Sequence, residues 1–241
     1  MTDDDGATAT TTRSVTVTAP VVEEPPADGT LAADTFDRTV TGGLGTADAG
    51  GAWTVSAGAA RQSVSGGAAV LASVKGTNTG SFLGGVSATR ADVQARLSLA
   101  SVPTGGGSSV YVIGRRVAAN QEYRARVRVL ADGSVRVAMV RLSGTSDDVL
   151  IGAEVLVPGL TYTAGTELAV RVRVAGTGTT ELAATVWKAG TAEPAAPTLT
   201  RTDTTAALQV PGGVGLFTYL SASATAAVEV RVAEFTAKEI A

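Results

Sequence analysis

The sequence predicts an all-β protein built from two antiparallel sheets packed face to face, a sandwich of the jelly-roll type. Three observations carry this expectation. From Leu31 to Ala241 the chain breaks into short runs of alternating apolar and polar residues separated by Gly, Asp-Gly or Pro-Gly, the pattern of half-buried strands and tight turns. No stretch shows a convincing helical period. Glycine supplies 29 of the 241 residues and aromatic residues only 4%, so the core is made of Val, Ala and Leu, which suits a thin sandwich better than a helical bundle.

The elements follow in order. Residues 1–19 open with an acidic turn, Asp3 to Asp5, then alternate so that Ala7, Ala9, Thr11, Arg13, Val15 and Val17 share one parity, which reads as one extended strand. Residues 20–30 hold Pro20, Glu23, Glu24, Pro25 and Pro26 and read as a stiff, solvated linker. The sandwich occupies residues 31–241. Weaker strand signals at 33–36, 53–57, 68–74 and 81–86 accompany stronger ones at 91–100, 108–117, 123–130, 135–142, 148–157, 167–175, 181–187, 214–221 and 227–235. The clearest places Tyr123, Ala125, Val127 and Val129 on one face and Arg124, Arg126 and Arg128 on the other; Asp132-Gly133 then turns it into the next run as a hairpin. No internal repeat is present, which argues against a propeller or solenoid.

Composition narrows the chemistry. Lys and Arg number 19 against 22 Asp and Glu, so no basic footprint for nucleic acid exists. The chain has no His and no Cys, which removes imidazole acid/base catalysis, thiol nucleophiles, disulfides and the usual zinc and haem ligands. Paired carboxylates such as Asp147-Asp148 remain as general acid/base equipment, but they sit in turn sequences, so the expectation is that the chain is not an enzyme. No run approaches about 18 consecutive apolar residues, and membrane insertion is not expected.

The run Asp3-Asp4-Asp5-Gly6-Ala7-Thr8-Ala9-Thr10 leading into Ser14-Val15-Thr16-Val17 resembles the last strand of a PKD domain. Asp34-Thr35-Phe36-Asp37-Arg38, Gly50-Gly51-Ala52-Trp53, Ile113-Gly114-Arg115-Arg116, Tyr123-Arg124-Ala125-Arg126-Val127 and Trp187-Lys188-Ala189-Gly190-Thr191-Ala192-Glu193-Pro194 resemble concanavalin A/laminin G-like sandwich domains of actinobacterial exported proteins, with related domains in phage structural proteins. That resemblance implies a noncatalytic adhesion or carbohydrate-binding module, extracellular, on a cell surface or on a virion. It also implies a calcium ion clipping the two ends of the sandwich, with Asp34 and Glu234 as ligands and Asp37 as a further oxygen donor.

Two other groups of residues stand out. Arg124, Arg126 and Arg128 project together, and Arg136, Arg171, Arg173 and Arg96 lie on similar strands, so a basic sheet face is expected that grips a polysaccharide or an acidic cell-wall polymer; the alternative is a solvated face paired to Glu122, Glu181 and Thr185. Trp53 and Trp187 are either sugar-stacking platforms or plugs at the ends of a small-residue core. The competing functional expectation is a structural module acting through contacts with copies of itself or other structural proteins. The domain boundary has a direct test: limited proteolysis should cut rapidly within residues 20–28 and leave a stable fragment starting near Leu31, whereas a chain lacking residues 1–28 that fails to fold would refute the boundary.

Overall fold

A computed structural model describes residues 29–240; the expected N-terminal strand and most of the linker, residues 1–28, lie outside the described residues, as does Ala241. The described chain forms β1 (Thr30–Asp34), β2 (Val40–Thr41), β3 (Trp53–Ala57), β4 (Gln62–Val64), β5 (Ala69–Ser73), β6 (Asn78–Ala88), β7 (Arg90–Leu99), β8 (Ser108–Ala118), β9 (Gln121–Val129), β10 (Ser134–Ser143), β11 (Val149–Leu150), β12 (Val155–Thr161), β13 (Leu168–Ala175), β14 (Thr180–Lys188), β15 (Leu199–Asp203), β16 (Gly212–Leu220) and β17 (Val228–Glu239). Nine strands build one sheet in the order β15-β14-β13-β7-β17-β5-β4-β2, with β1 also on β17. Eight build the other, β11-β10-β9-β8-β16-β6-β3, with β12 also on β10. All these ladders are antiparallel, so the fold is the expected two-sheet jelly-roll sandwich.

The hairpin between β9 and β10 forms as the sequence indicates. Gly133 takes a φ of 79°, and the Asp132 carboxylate accepts hydrogen bonds from the Ser134 amide and hydroxyl. The run at 148–157 divides instead into β11 and β12, because the chain turns at Gly152 with a φ of 79° while the Arg201 guanidinium binds the carbonyls of Ile151 and Ala153. Strand β15 carries no apolar alternation of its own; Leu199-Thr200-Arg201-Thr202-Asp203 is extended because it pairs with β14 at the sheet edge.

Between the sheets, inward residues such as Val93, Leu97, Val230 and Val232 meet Val110, Val112, Val127 and Leu216, all buried. This thin core is closed at one end by aromatic rings. Trp53 lies 6.2 Å from Phe36 and 5.2 Å from Phe235, centroid to centroid, and its indole N–H donates to Asp34 at 2.7 Å. Asp34 is buried and also accepts from the Phe36 amide and, through both oxygens, from Arg38. That bidentate bond holds the Arg38 guanidinium above its ordinary pKa, against the cost of its burial.

Another part of the core contains Arg115, fully buried. Its guanidinium donates to the carbonyls of Leu208, Gly176 and Thr89 and to the Thr180 hydroxyl, and burial lowers its pKa. Beside it, Thr180 donates to Gln209, Gln209 to the Tyr123 hydroxyl, and Tyr123 to Asp203, whose other oxygen binds Arg141 at 2.5 Å. One cation thereby ties together the β6–β7 and β13–β14 turns and the 3-10 turn at Ala206–Leu208.

Two outcomes are expected. Arg115→Ala should lower unfolding stability by about 3 kcal/mol or more in urea titrations, since each stranded buried acceptor costs about 1–3 kcal/mol, and Arg115→Lys should recover little because one ammonium cannot span the acceptors. Burial opposes the charge of Asp203, but Tyr123, Thr205 and Arg141 outweigh it and hold its pKa below the ordinary value. Its stabilising contribution is therefore present above the unfolded aspartate pKa of about 3.9 and lost as pH falls through the lower folded value. Asp203→Asn should flatten that acid limb of the pH–stability curve; an unchanged limb would show that Asp203 does not control it.

Candidate functional site on the eight-stranded sheet

Register lays the outer face of the eight-stranded sheet out in rows. One row runs Arg136 (β10), Arg128 (β9), Ser109 (β8), Tyr219 (β16), Asn78 (β6). The next runs Arg126, Tyr111, Phe217, Gly80, and the third Arg124, Ile113, Gly215, Phe82. A groove of about 680 Å³ lies over these rows, Arg136 excepted, lined among others by Asn78, Arg116, Glu122, Arg128, Asp148 and Tyr219. Gly80 has a structural reason to be glycine, since a Cβ there would lie 2.4 Å from the Phe217 ring. Without one, Phe217 can sit across β6 and meet Tyr111 edge-on at 5.8 Å.

The arginines of β9 differ sharply in how their charge is used. The Arg124 side chain is only 4% exposed, bonds Glu122 at 2.7 Å and Asp148 at 2.5 Å, and lies over the Tyr111 ring at 4.1 Å. Arg126 bonds Asp148 and Glu154; burial works against its charge, but these carboxylates hold its pKa above the ordinary value. Burial pushes Glu122 up despite Arg124 and Arg116, and pushes the Tyr111 hydroxyl up to about 12, so that phenol stays protonated at neutral pH. Arg128 is set apart. Its side chain is 34% exposed, two of its nitrogens donate to the uncharged Gly106 carbonyl, and Glu154 is 3.9 Å away. Arg136 stands directly opposite it in the register. Arg116 lies over Phe82 at 3.7 Å.

The single basic face expected from sequence is therefore divided. Arg124, Arg126, Arg128 and Arg136 share this sheet, but Arg96, Arg171 and Arg173 belong to β7 and β13 of the other sheet. There Asp92 binds Arg171 and lies 3.6 Å from Arg173, Glu193 also binds Arg171, and Glu167 binds Arg96. Trp53 is corrected from candidate platform to core plug, 6% exposed with its N–H taken by Asp34. Trp187 is half-buried on the outer face of the nine-stranded sheet, away from the groove.

The residues expected to hold calcium are not brought together. Asp34 points into the core with its oxygens occupied by Arg38, Trp53 and the Phe36 amide; Asp37 is exposed; Glu234 is 46% exposed on the outer face, 3.5 Å from Arg96. Val228, Val230 and Val232 of β17 face inward, and a register shift at Ala233 reverses the parity so that Glu234 faces outward and Phe235 inward; the two expected ligands therefore face opposite sides of the sheet. Among the described residues no group of three or more acidic side chains could hold a metal ion.

Tyr219, Asn78, Ser109, Phe217 and Arg116 were missed as groove residues. The available signal was the parity of Phe217 and Tyr219 in the 214–221 run; what sequence could not supply was which strands flank it.

No family model matches the chain, and no curated protein matches it. The likeness lies in the fold. The alginate lyase Aly36B superimposes with a TM-score of 0.53 at 12% identity, covering 88% of this chain and 97% of that one. A gut-microbiota protein described among endo-acting O-glycanases gives 0.54 at 13%, covering 88% and 100%. The carbohydrate recognition domain of Emp46p, in a single-residue mutant form, gives 0.53 at 11%, covering 77% and 87%. The resemblance drawn from sequence is thus supported as a jelly-roll sandwich shared with lectin-like and carbohydrate-active proteins, while a PKD remnant falls outside the described residues. The expectation that the chain is not an enzyme is corrected: proteins of this fold include carbohydrate-active enzymes, and a chain without His and Cys still has tyrosine, which also transfers protons.

Proposed function

We propose that the groove of the eight-stranded sheet binds an acidic polysaccharide, with a carboxylate or similar anionic group of the polymer at Arg128 and Arg136 and a sugar ring against Tyr219. The observation that carries this reading is the row Arg136–Arg128–Ser109–Tyr219–Asn78. Arg128 and Arg136 are register partners on adjacent strands, so two like charges share one part of the sheet face, and an anion bound there offsets their repulsion. Tyr219 and Asn78 continue the row with a half-buried ring and an amide, the combination that fixes a sugar by stacking and hydrogen bonding. Five strands spaced about 4.8 Å apart make the row roughly 19 Å long, room for several sugar units laid across the strands. The fold shared with an alginate lyase and a carbohydrate recognition domain is consistent with this reading. An extracellular, cell-surface or virion setting belongs to the same proposal.

The second reading, a structural module, has its own observation. Val149, Leu150 and Leu156 are 38%, 42% and 49% exposed on β11 and β12, at the edge of the eight-stranded sheet. Concentration-dependent oligomers in sedimentation, abolished by Leu156→Lys, would support it.

Alginate serves as the test polymer, with xylan as a neutral control. The protein should bind alginate, lose affinity as salt rises, and bind at least tenfold more weakly after Arg128→Ala or Tyr219→Ala, with the melting temperature of each variant as a folding control. Equal binding of xylan, or alginate affinity unmoved by Arg128→Ala, would overturn the proposal. Reducing-end release in the same incubations reports whether binding leads to cleavage.

A further inference from the structure

The nine-stranded sheet presents a second, smaller depression of about 290 Å³ on its own outer face. A row of directly opposed residues crosses it: Trp187 (β14), Ala169 (β13), Arg96 (β7) and Glu234 (β17). The adjacent row brings Gln94 and Thr236 to its floor, and Ala189 and Gly190 line its margin. The chain contains two tryptophans. Trp53 is sealed in the core, while Trp187 keeps part of its ring at the surface of this depression, beside the small Ala169.

Charge distinguishes this site from the groove. Arg96 bonds Glu167 at 2.6 Å and lies 3.5 Å from Glu234; those carboxylates, Glu167 foremost, hold its pKa above the ordinary value. Arg171 in the neighbouring row bonds Asp92 and Glu193. The four carboxylates Asp92, Glu167, Glu193 and Glu234 outnumber Arg96, Arg171 and Arg173, so an anionic polymer meets a net negative surface here. The remaining chemistry is an aromatic surface ringed by paired carboxylates and guanidinium groups, an amide and a hydroxyl. These donors and acceptors match the hydroxyls of a neutral sugar, whose flat C–H face stacks on an indole.

We infer that Trp187, with Gln94, Arg96, Glu234 and Thr236, forms a second carbohydrate site that takes a neutral sugar on the opposite side of the sandwich from the acidic-polymer groove. This inference does not rest on the function proposed for the groove. A protein with both sites can bridge an acidic and a neutral polymer.

The test uses intrinsic tryptophan fluorescence during titration with cellohexaose and mannohexaose. At least one of the two should give a saturable change in emission and protect the fluorophore from acrylamide. The change should disappear in Trp187→Ala, persist in Trp187→Phe when binding is followed by calorimetry, and weaken at least fivefold in Gln94→Ala. Arg128→Ala should leave it intact and excess alginate should not compete, which separates this site from the groove. No response to either oligosaccharide, a response surviving Trp187→Ala, or displacement by alginate would each overturn the inference.

Discussion

A single extra residue in β8 decides which of two adjacent arginines enters the core and which faces the groove. Up to Ile113 the strand alternates regularly, with Tyr111 and Ile113 outward and Val110 and Val112 in the core. Between Ile113 and Arg115 the pairing with β9 shifts by one, leaving Gly114 as a bulge. Parity inverts, so Arg115 points inward opposite Tyr123 and Arg116 outward opposite Glu122. Only glycine fits the bulge, since a Cβ at Gly114 would lie 2.4 Å from Val174 of the facing sheet. The neighbouring strand accommodates the same shift at Gly213 to Gly215. Without the bulge, Arg115 would lie in the groove and the carbonyls it ties together would lose their donor.

The core around this bulge is made of small side chains, and packing alone gives such a core little to define its ends. Polar groups supply that definition. Asp34 gathers Trp53, Phe36 and Arg38 into one plug, and Arg115 gathers the turns near Tyr123 and Asp203 into another cluster. A buried charge is costly unless its partners are complete, and both sites nearly meet that condition. Asp34 has a donor for each oxygen, and Arg115 has acceptors for both terminal nitrogens, only its Nε lacking one.

The same logic sorts the surface arginines. Arg124 and Arg126 are neutralised by Glu122, Asp148 and Glu154 and serve as a rigid floor beneath the groove, with Arg124 stacked on Tyr111 and Phe217. Exposed pairs such as Arg96 with Glu234 contribute about 0–1 kcal/mol to stability, so their interest lies in what they present to a ligand. On the eight-stranded sheet, Arg128 and Arg136 meet where β9 pairs with β10, and the same row continues through Ser109 to the ring of Tyr219 and the amide of Asn78.

By itself the sequence determined the β class, most strand positions, the β9–β10 hairpin and the shared face of Arg124, Arg126 and Arg128, because alternation with period two and turn chemistry are local properties of the chain. Only the tertiary structure decided which strands lie side by side. Strand order placed Arg96, Arg171 and Arg173 on the opposite sheet from Arg128, and it set Tyr219 beside Ser109 and Asn78 beside Tyr219. Packing turned Trp53 into a plug and left Trp187 at the surface, and a bulge at Ala233 of β17 aimed Glu234 away from Asp34. The bulge at Gly114 reversed the orientation of two adjacent arginines that simple alternation would have assigned the other way. These outcomes depend on contacts between residues distant in the chain, and on a one-residue register shift that spacing along a single strand does not encode.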